Sequence, residues 1–232
     1  MIIVRGAMLL GAAWAVLVGF GAAGPEAQPS ALRLWTAAVI ALLAPLFWPG
    51  AGGVARLLGW SAAACGMAAL LMLVLTVGRQ PPAAVLQSCA MLGAILLVSH
   101  AATLGLERRW SRDAADATAA RERAGRSVAL ALVLLGSLPL WLGPAAEMLS
   151  ARHERAIDAL FQLSPLVHLA VASGNDLLRN QWLYQHSNLA SLQFDYPALA
   201  GLGWFYGSIG SLLGLLAWAR RGRAYLPTER TR

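Results

Sequence analysis

Residues 83 to 106 contain no Asp, Glu, Lys or Arg over twenty-four consecutive positions, and this window sets the terms for the whole chain. It exceeds the roughly 20 residues with which a helix crosses a hydrocarbon core of about 30 Å. An uninterrupted apolar run of that length crosses lipid only as a helix, because every backbone polar group must be satisfied inside the segment. Five further windows are predominantly apolar and approach or exceed that length, giving expected spans at Ala7 to Ala23, Ala31 to Trp48, Val54 to Val77, Ala83 to Leu106, Ser127 to Met148 and Pro197 to Trp218. The expected fold is all-α, a polytopic helical bundle of about six transmembrane helices in one membrane domain over residues 1–232. Apolar residues form 58% of the chain and charged residues 12%. Soluble domains run at about 45–50% and about 25%, so composition points the same way. The first window has a second reading as a secretory signal, since Arg5 precedes the apolar run and small residues Gly21 to Gly24 follow it.

All eighteen basic residues are Arg. With the N-terminus inside, thirteen fall on the cytoplasmic side: Arg5, Arg56, six between Glu107 and Arg126, and five from Arg220 onward. That bias places both termini in the cytoplasm. The net charge of +7 is therefore a topological signal, and with no nucleic-acid module beside the basic clusters no nucleic-acid partner is expected. An Arg-rich, Lys-free chain with abundant Ala, Gly and Leu suggests a GC-rich bacterial genome, hence a bacterial inner membrane.

Two polar segments interrupt the spans. The stretch Glu107 to Arg126 is Ala-rich with mixed charge and has no breaker before Gly125, which predicts a continuing helix or a helical hairpin. Its bland role is topology and solubility. Its sharper role is docking of a cytoplasmic partner through Arg108, Arg109, Arg112, Arg121 and Arg123.

The second segment, residues 150–196, is the extracytoplasmic loop. Arg152 to Leu163 has an apolar stripe opposite charged residues, an amphipathic pattern for an interface. Ser164 at an N-cap, Pro165 at the first helical position and Gly174 as breaker then delimit a short apolar helix. A helix of about nine residues covers only half of a 30 Å core, so it reads as re-entrant or interfacial, with Asp176 to Tyr184 returning. A non-spanning element at that depth needs protein or a water-filled cavity around it.

This loop supplies the functional candidates His168, Asp176, Arg179, Trp182, Tyr184, His186 and Asp195. Asp176 and Arg179 are spaced to pair on one helix face. No recognised metal-ligand spacing is present, and neither a metal nor another cofactor is expected. His100, inside the fourth span, reads as a histidine bonded to a neighbouring helix. Cys65 and Cys89 fall inside spans and read as small apolar groups. Glu147 sits near the outer end of the fifth span, after Pro139 and Pro144.

Gly203 with Gly207, and Gly210 with Gly214, form two GxxxG pairs in the last span, which let helices approach closely within the bundle or in a homodimer. Trp35, Trp48, Trp60, Trp110, Trp204 and Trp218 lie near span ends, where interfacial anchoring is expected. No Walker A, GxSxG, HExxH or dinucleotide-binding glycine pattern occurs, so no nucleotide motor or familiar catalytic site is expected within the chain.

Six spans with both ends inside, and a short helical hairpin opening at Ser164, Pro165 and Leu166 just before the last span, resemble the membrane subunit of ABC-2-type exporters. The resemblance implies a pathway for a hydrophobic or amphipathic substrate and a separate cytoplasmic ATPase. Pro49 to Arg56 is short for the coupling segment of such permeases, which leaves Glu107 to Arg126 for docking. Two alternatives follow from the residues: a structural or assembly subunit of a larger membrane complex, and a membrane enzyme using the outer His/Asp/Arg cluster.

Overall fold

The computed structural model describes residues 2–19, 28–50, 54–76, 81–111, 116–138, 162–176 and 196–223. Among these residues there are seven helices and no strand: α1 Ile2–Gly19, α2 Pro29–Leu43, α3 Val54–Thr76, α4 Pro82–Trp110, α5 Ala117–Gly136, α6 Pro165–Ser173 and α7 Leu199–Arg223. Proline opens α2, α4 and α6, where its missing N–H costs nothing and its fixed φ is already helical. Within α3 the segment Ala55–Leu75, and the whole of α4, are long and apolar enough to cross a membrane, while Ile3–Val18, Pro29–Leu43 and Leu199–Leu213 are shorter apolar helices.

The longest helix, α4, is the axis of the bundle and packs against α2, α3, α5, α6 and α7. Its buried residues Leu92, Ile95 and Leu96 join Leu34, Ile40, Met72 and Leu169 in one core. The outer surface is also apolar, with Ile3, Leu58, Leu70, Leu73, Val74, Leu86, Leu130 and Trp204 all exposed. Meanwhile Arg33, Thr36, Ser61, Ser88, Ser99, His100, Thr103, Glu107, His168 and Ser173 are buried. Apolar side chains outside with polar ones inside suit a hydrocarbon surround, where leucine meets no penalty and a polar group needs an internal partner.

The charged stretch forms a helical hairpin. Helix α4 continues to Trp110, and α5 begins at Ala117, ten residues before the expected start of the fifth span at Ser127. Residues 139–161, which include Glu147 and most of the expected amphipathic helix, lie outside the described residues. At the crossing of α5 with the end of α2, a Cβ on Gly125 would stand 2.5 Å from the Pro45 carbonyl oxygen. Only glycine admits that approach.

The tryptophans divide. Trp35 and Trp204 are exposed, as anchoring requires, and the side chain of Trp218 lies outside the described residues. Trp48 and Trp60 are buried instead, at 1% and 2% exposure, because each indole N–H has an internal acceptor: the Glu107 carboxylate at 2.9 Å and the Ala44 carbonyl at 3.3 Å. Cys65 and Cys89 are free thiols facing each other's backbone carbonyls across α3 and α4, at 3.7 and 3.9 Å.

Candidate functional site

Helix α6 is nine residues long, about 13 Å at 1.5 Å per residue, and is enclosed by α2, α4, α5 and α7. Its limits are the ones its sequence signals predict, with Ser164 at the N-cap, Pro165 first and Gly174 closing the C-terminus at φ 63°. Ser164 does not cap its own helix. Its hydroxyl donates to the Gly136 carbonyl at 3.2 Å, satisfying a terminal carbonyl of α5 and tying the two helix ends together.

The C-terminus of α6 meets the N-terminal parts of α2 and α4. Arg33, only 8% exposed, donates from Nη2 to the Ser173 carbonyl at 2.7 Å. That places a guanidinium at the negative end of the α6 dipole, a charge-assisted bond in a protected setting. Ser88 bonds its own helix at Ala84 and also reaches the Ala172 carbonyl and Ser173 Oγ, both at 3.4 Å. Asn175 donates to Ser30 Oγ at 3.3 Å, and the Tyr196 hydroxyl, approaching α7, donates to Asp176 Oδ1 at 2.6 Å.

Midway along α6, His168 is fully buried between two partners. Its Nε2 lies 2.7 Å from the Gln162 carbonyl and its Nδ1 lies 2.7 Å from the Tyr206 hydroxyl on α7. A carbonyl only accepts, so Nε2 carries the hydrogen and Tyr206 donates to Nδ1; the tautomer follows from the network. Burial holds the imidazole below its usual pKa, with the Gln162 carbonyl acting in the opposite sense. Both ring nitrogens are engaged, which leaves no lone pair for a metal.

Of the outer-loop candidates, the structure places His168 inside the bundle and Asp176 beyond the C-terminus of α6, eight residues on. Arg179, Trp182, Tyr184, His186 and Asp195 lie outside the described residues. Among the described residues, no group of three His, Cys, Asp or Glu side chains could hold a metal ion. An apolar crevice of about 140 Å³ opens beside α6, lined by Ala38, Leu42, Leu132, Gly136, Pro165 and Leu169.

A second polar constellation occupies the opposite end. His100, Thr103, Leu104 and Glu107 recur at i, i+3, i+4 and i+7 on α4 and are all buried there. Glu107 accepts from Trp48 Nε1 at 2.9 Å and from Arg121 Nε at 3.2 Å. Arg5 of α1 donates to the Trp48 carbonyl. The Trp48 ring stacks on His100 with centroids 5.3 Å apart, and His100 Nδ1 lies 2.8 Å from Ser61 Oγ on α3. His100 is thus bonded to a neighbouring helix, and α1, α3, α4 and α5 are joined with the segment that follows α2 through the Glu107 carboxylate, the Trp48 residue and the His100 ring.

Arg121, expected on the docking face, faces inward to this network with its side chain 18% exposed. Arg109 and Arg123 are exposed, Arg108 is half-buried and Arg112 lies outside the described residues. In the last helix, a Cβ on Gly210 would stand 3.9 Å from Val98 Cγ2 of α4, whereas a Cβ on Gly203 or Gly207 would meet nothing within 4 Å among the described residues. Gly214 belongs to the same helix, with its surroundings outside the description.

The sequence reading missed the Glu107 network because it took Glu107 as the edge of a solvated charge run. The available signal was its spacing from His100. Neither a scan of protein-family models nor searches of curated proteins and of solved structures finds a match to this chain.

Proposed function

We propose that this chain is the permease-like subunit of a multi-component transporter in a bacterial inner membrane. In this reading the chain has six spans, four of which enclose α6, both termini and the α4–α5 turn are cytoplasmic, and α6 enters from the outer side. The substrate class is hydrophobic or amphipathic, the driving force comes from a separate ATPase, and the chain has no catalytic activity of its own. The observation that supports it is the burial of a nine-residue helix between α2, α4, α5 and α7 beside an apolar crevice of about 140 Å³. A non-spanning helix in that position suits a pathway more than a simple anchor.

The test is photo-cross-linking in native membranes from positions 109 and 123, followed by mass spectrometry. Stoichiometric capture of a P-loop ATPase is the expected result. Capture of no nucleotide-hydrolysing protein overturns the reading.

A second reading, as a structural or assembly subunit, has its own observation: among the described residues nothing lies within 4 Å of a Cβ at Gly203 or Gly207, which leaves a face of α7 for a helix of another subunit or of a second copy. Gly207→Leu would then dissociate the complex without unfolding the single chain.

A further inference from the structure

Where α4 ends and α5 begins, Arg109, Trp110, Asp116, Arg123, Arg126 and Ser127 line an open cleft of about 620 Å³. Among the described residues, three guanidiniums and one carboxylate line it. Arg126 makes an i,i+4 pair with Glu122 at 3.4 Å, both side chains well exposed, an interaction weak enough to exchange for a better anion.

The same face of α5 changes character along its length. Arg123, Arg126, Ser127, Leu130 and Leu134 stand at i, i+3, i+4, i+7 and i+11 and are all exposed. From Arg123 to Leu134 the helix rises about 16 Å, close to the roughly 15 Å of one leaflet's hydrocarbon. The stripe therefore presents cations and a hydroxyl at one end and branched apolar side chains at the depth of an acyl chain. Trp110 at the cleft rim belongs at headgroup level.

Free phosphate would use only the charged half of this surface. A zwitterionic lipid would bring a positively charged ammonium group beside the guanidiniums. An acidic protein loop would match the arginines and leave Leu130 and Leu134 uncovered. We propose that the α4–α5 cleft binds the phosphate headgroup of an anionic phospholipid from the adjacent leaflet, with an acyl chain laid along Leu130 and Leu134. This site rests on the membrane reading of the bundle but not on the existence of an ATPase.

The experiment is native mass spectrometry of the purified full-length chain in mild detergent, titrated with phosphatidylglycerol or with phosphatidylcholine of the same acyl chains. Wild type retains one phosphatidylglycerol with a preference of at least about tenfold. The Arg123→Gln/Arg126→Gln variant, altered at two exposed positions and checked by thermal unfolding, loses affinity on the order of thirtyfold. Arg123→Lys/Arg126→Lys retains most of it, and millimolar inorganic phosphate does not displace the lipid. Leu130→Ala/Leu134→Ala weakens retention with the arginines in place. Equal retention of the two lipids, indifference to the Gln variant, or displacement by inorganic phosphate overturns the proposal. So does cross-linking of the cleft to an acidic protein with no lipid preference. A chain that stays dispersed without detergent overturns the membrane reading as well.

Discussion

Removing the Glu107 carboxylate is the perturbation with the widest consequences. Glu107 is 1% exposed, and its two oxygens accept from Trp48 Nε1 at 2.9 Å and Arg121 Nε at 3.2 Å. Glu107→Ala deprives a buried indole N–H and a largely buried guanidinium of their acceptor. Breaking a buried pair by deleting one partner costs about 3–5 kcal/mol. At roughly 2–4 °C per kcal/mol for a chain of this size, the midpoint falls by on the order of 10 °C. Glu107→Gln keeps an acceptor for Trp48 and should cost about half as much. The double variant Glu107→Leu/Arg121→Met removes both charges at similar volume, and should lie within about 2 kcal/mol of wild type, above either single variant. The assay is thermal unfolding of the purified protein in one detergent, followed by tryptophan fluorescence and by aggregation. A Glu107→Ala midpoint within about 2 °C of wild type, or a double variant worse than the sum of the singles, would refute the reasoning.

Other positions give separate tests. Gly125→Ala should destabilise by about 1–3 kcal/mol, since its Cβ meets backbone at 2.5 Å, whereas Gly105→Ala, with nothing within 4 Å, should be neutral or better; melting both variants in parallel decides. Arg33→Met removes the charged donor at the end of α6 and should cost about 1.5–3 kcal/mol, read as faster amide exchange across residues 165–175, with Arg33→Lys partly restoring protection. His168, with its pKa lowered by burial, contributes stability that is fully present above the unfolded value of about 6.5 and is lost as pH falls through the folded value. Subtracting the pH profile of His168→Gln from that of wild type should expose this acid loss, and a difference that stays flat from neutral into acid would contradict it. Tyr206→Phe leaves His168 Nδ1 without its donor and should cost about 1–2 kcal/mol in the same melts.

The short helix was legible because its punctuation is local: Ser164, Pro165 and Gly174 act through backbone geometry that needs no tertiary information. The partner helix of His100 was legible in kind, since a lone imidazole in an apolar span must find a polar neighbour. The inward turn of Glu107 and Arg121 was hidden. Charge patterning treats a mixed run as solvated, whereas the deciding signal is which face carries small residues. Ala120, Ala124 and Gly125 are buried, and Arg121 lies within one turn of the last two. The buried tryptophans were misplaced for a related reason: nearness to a span end sets depth, but an indole N–H with an internal acceptor leaves the interface. The open face at Gly203 and Gly207 could not be separated from a packed one by spacing alone, because GxxxG specifies smallness and not the neighbour.

The bond from Arg33 to the Ser173 carbonyl joins residues 140 positions apart in the chain. At a synthesis rate of about 5–20 residues per second, that carbonyl is made roughly 7–28 s after the arginine. The early helices must hold the guanidinium in the interval, and under the proposed membrane reading its place four residues after the Pro29 that opens α2 lets it reach toward the headgroups until α6 arrives. Seating α6 is then a late event in biogenesis. If the chain is the membrane protein proposed above, truncation before residue 165 would leave α2 in a provisional state, open to quality control, while α3 and α4, joined by contacts close in sequence, would already be paired.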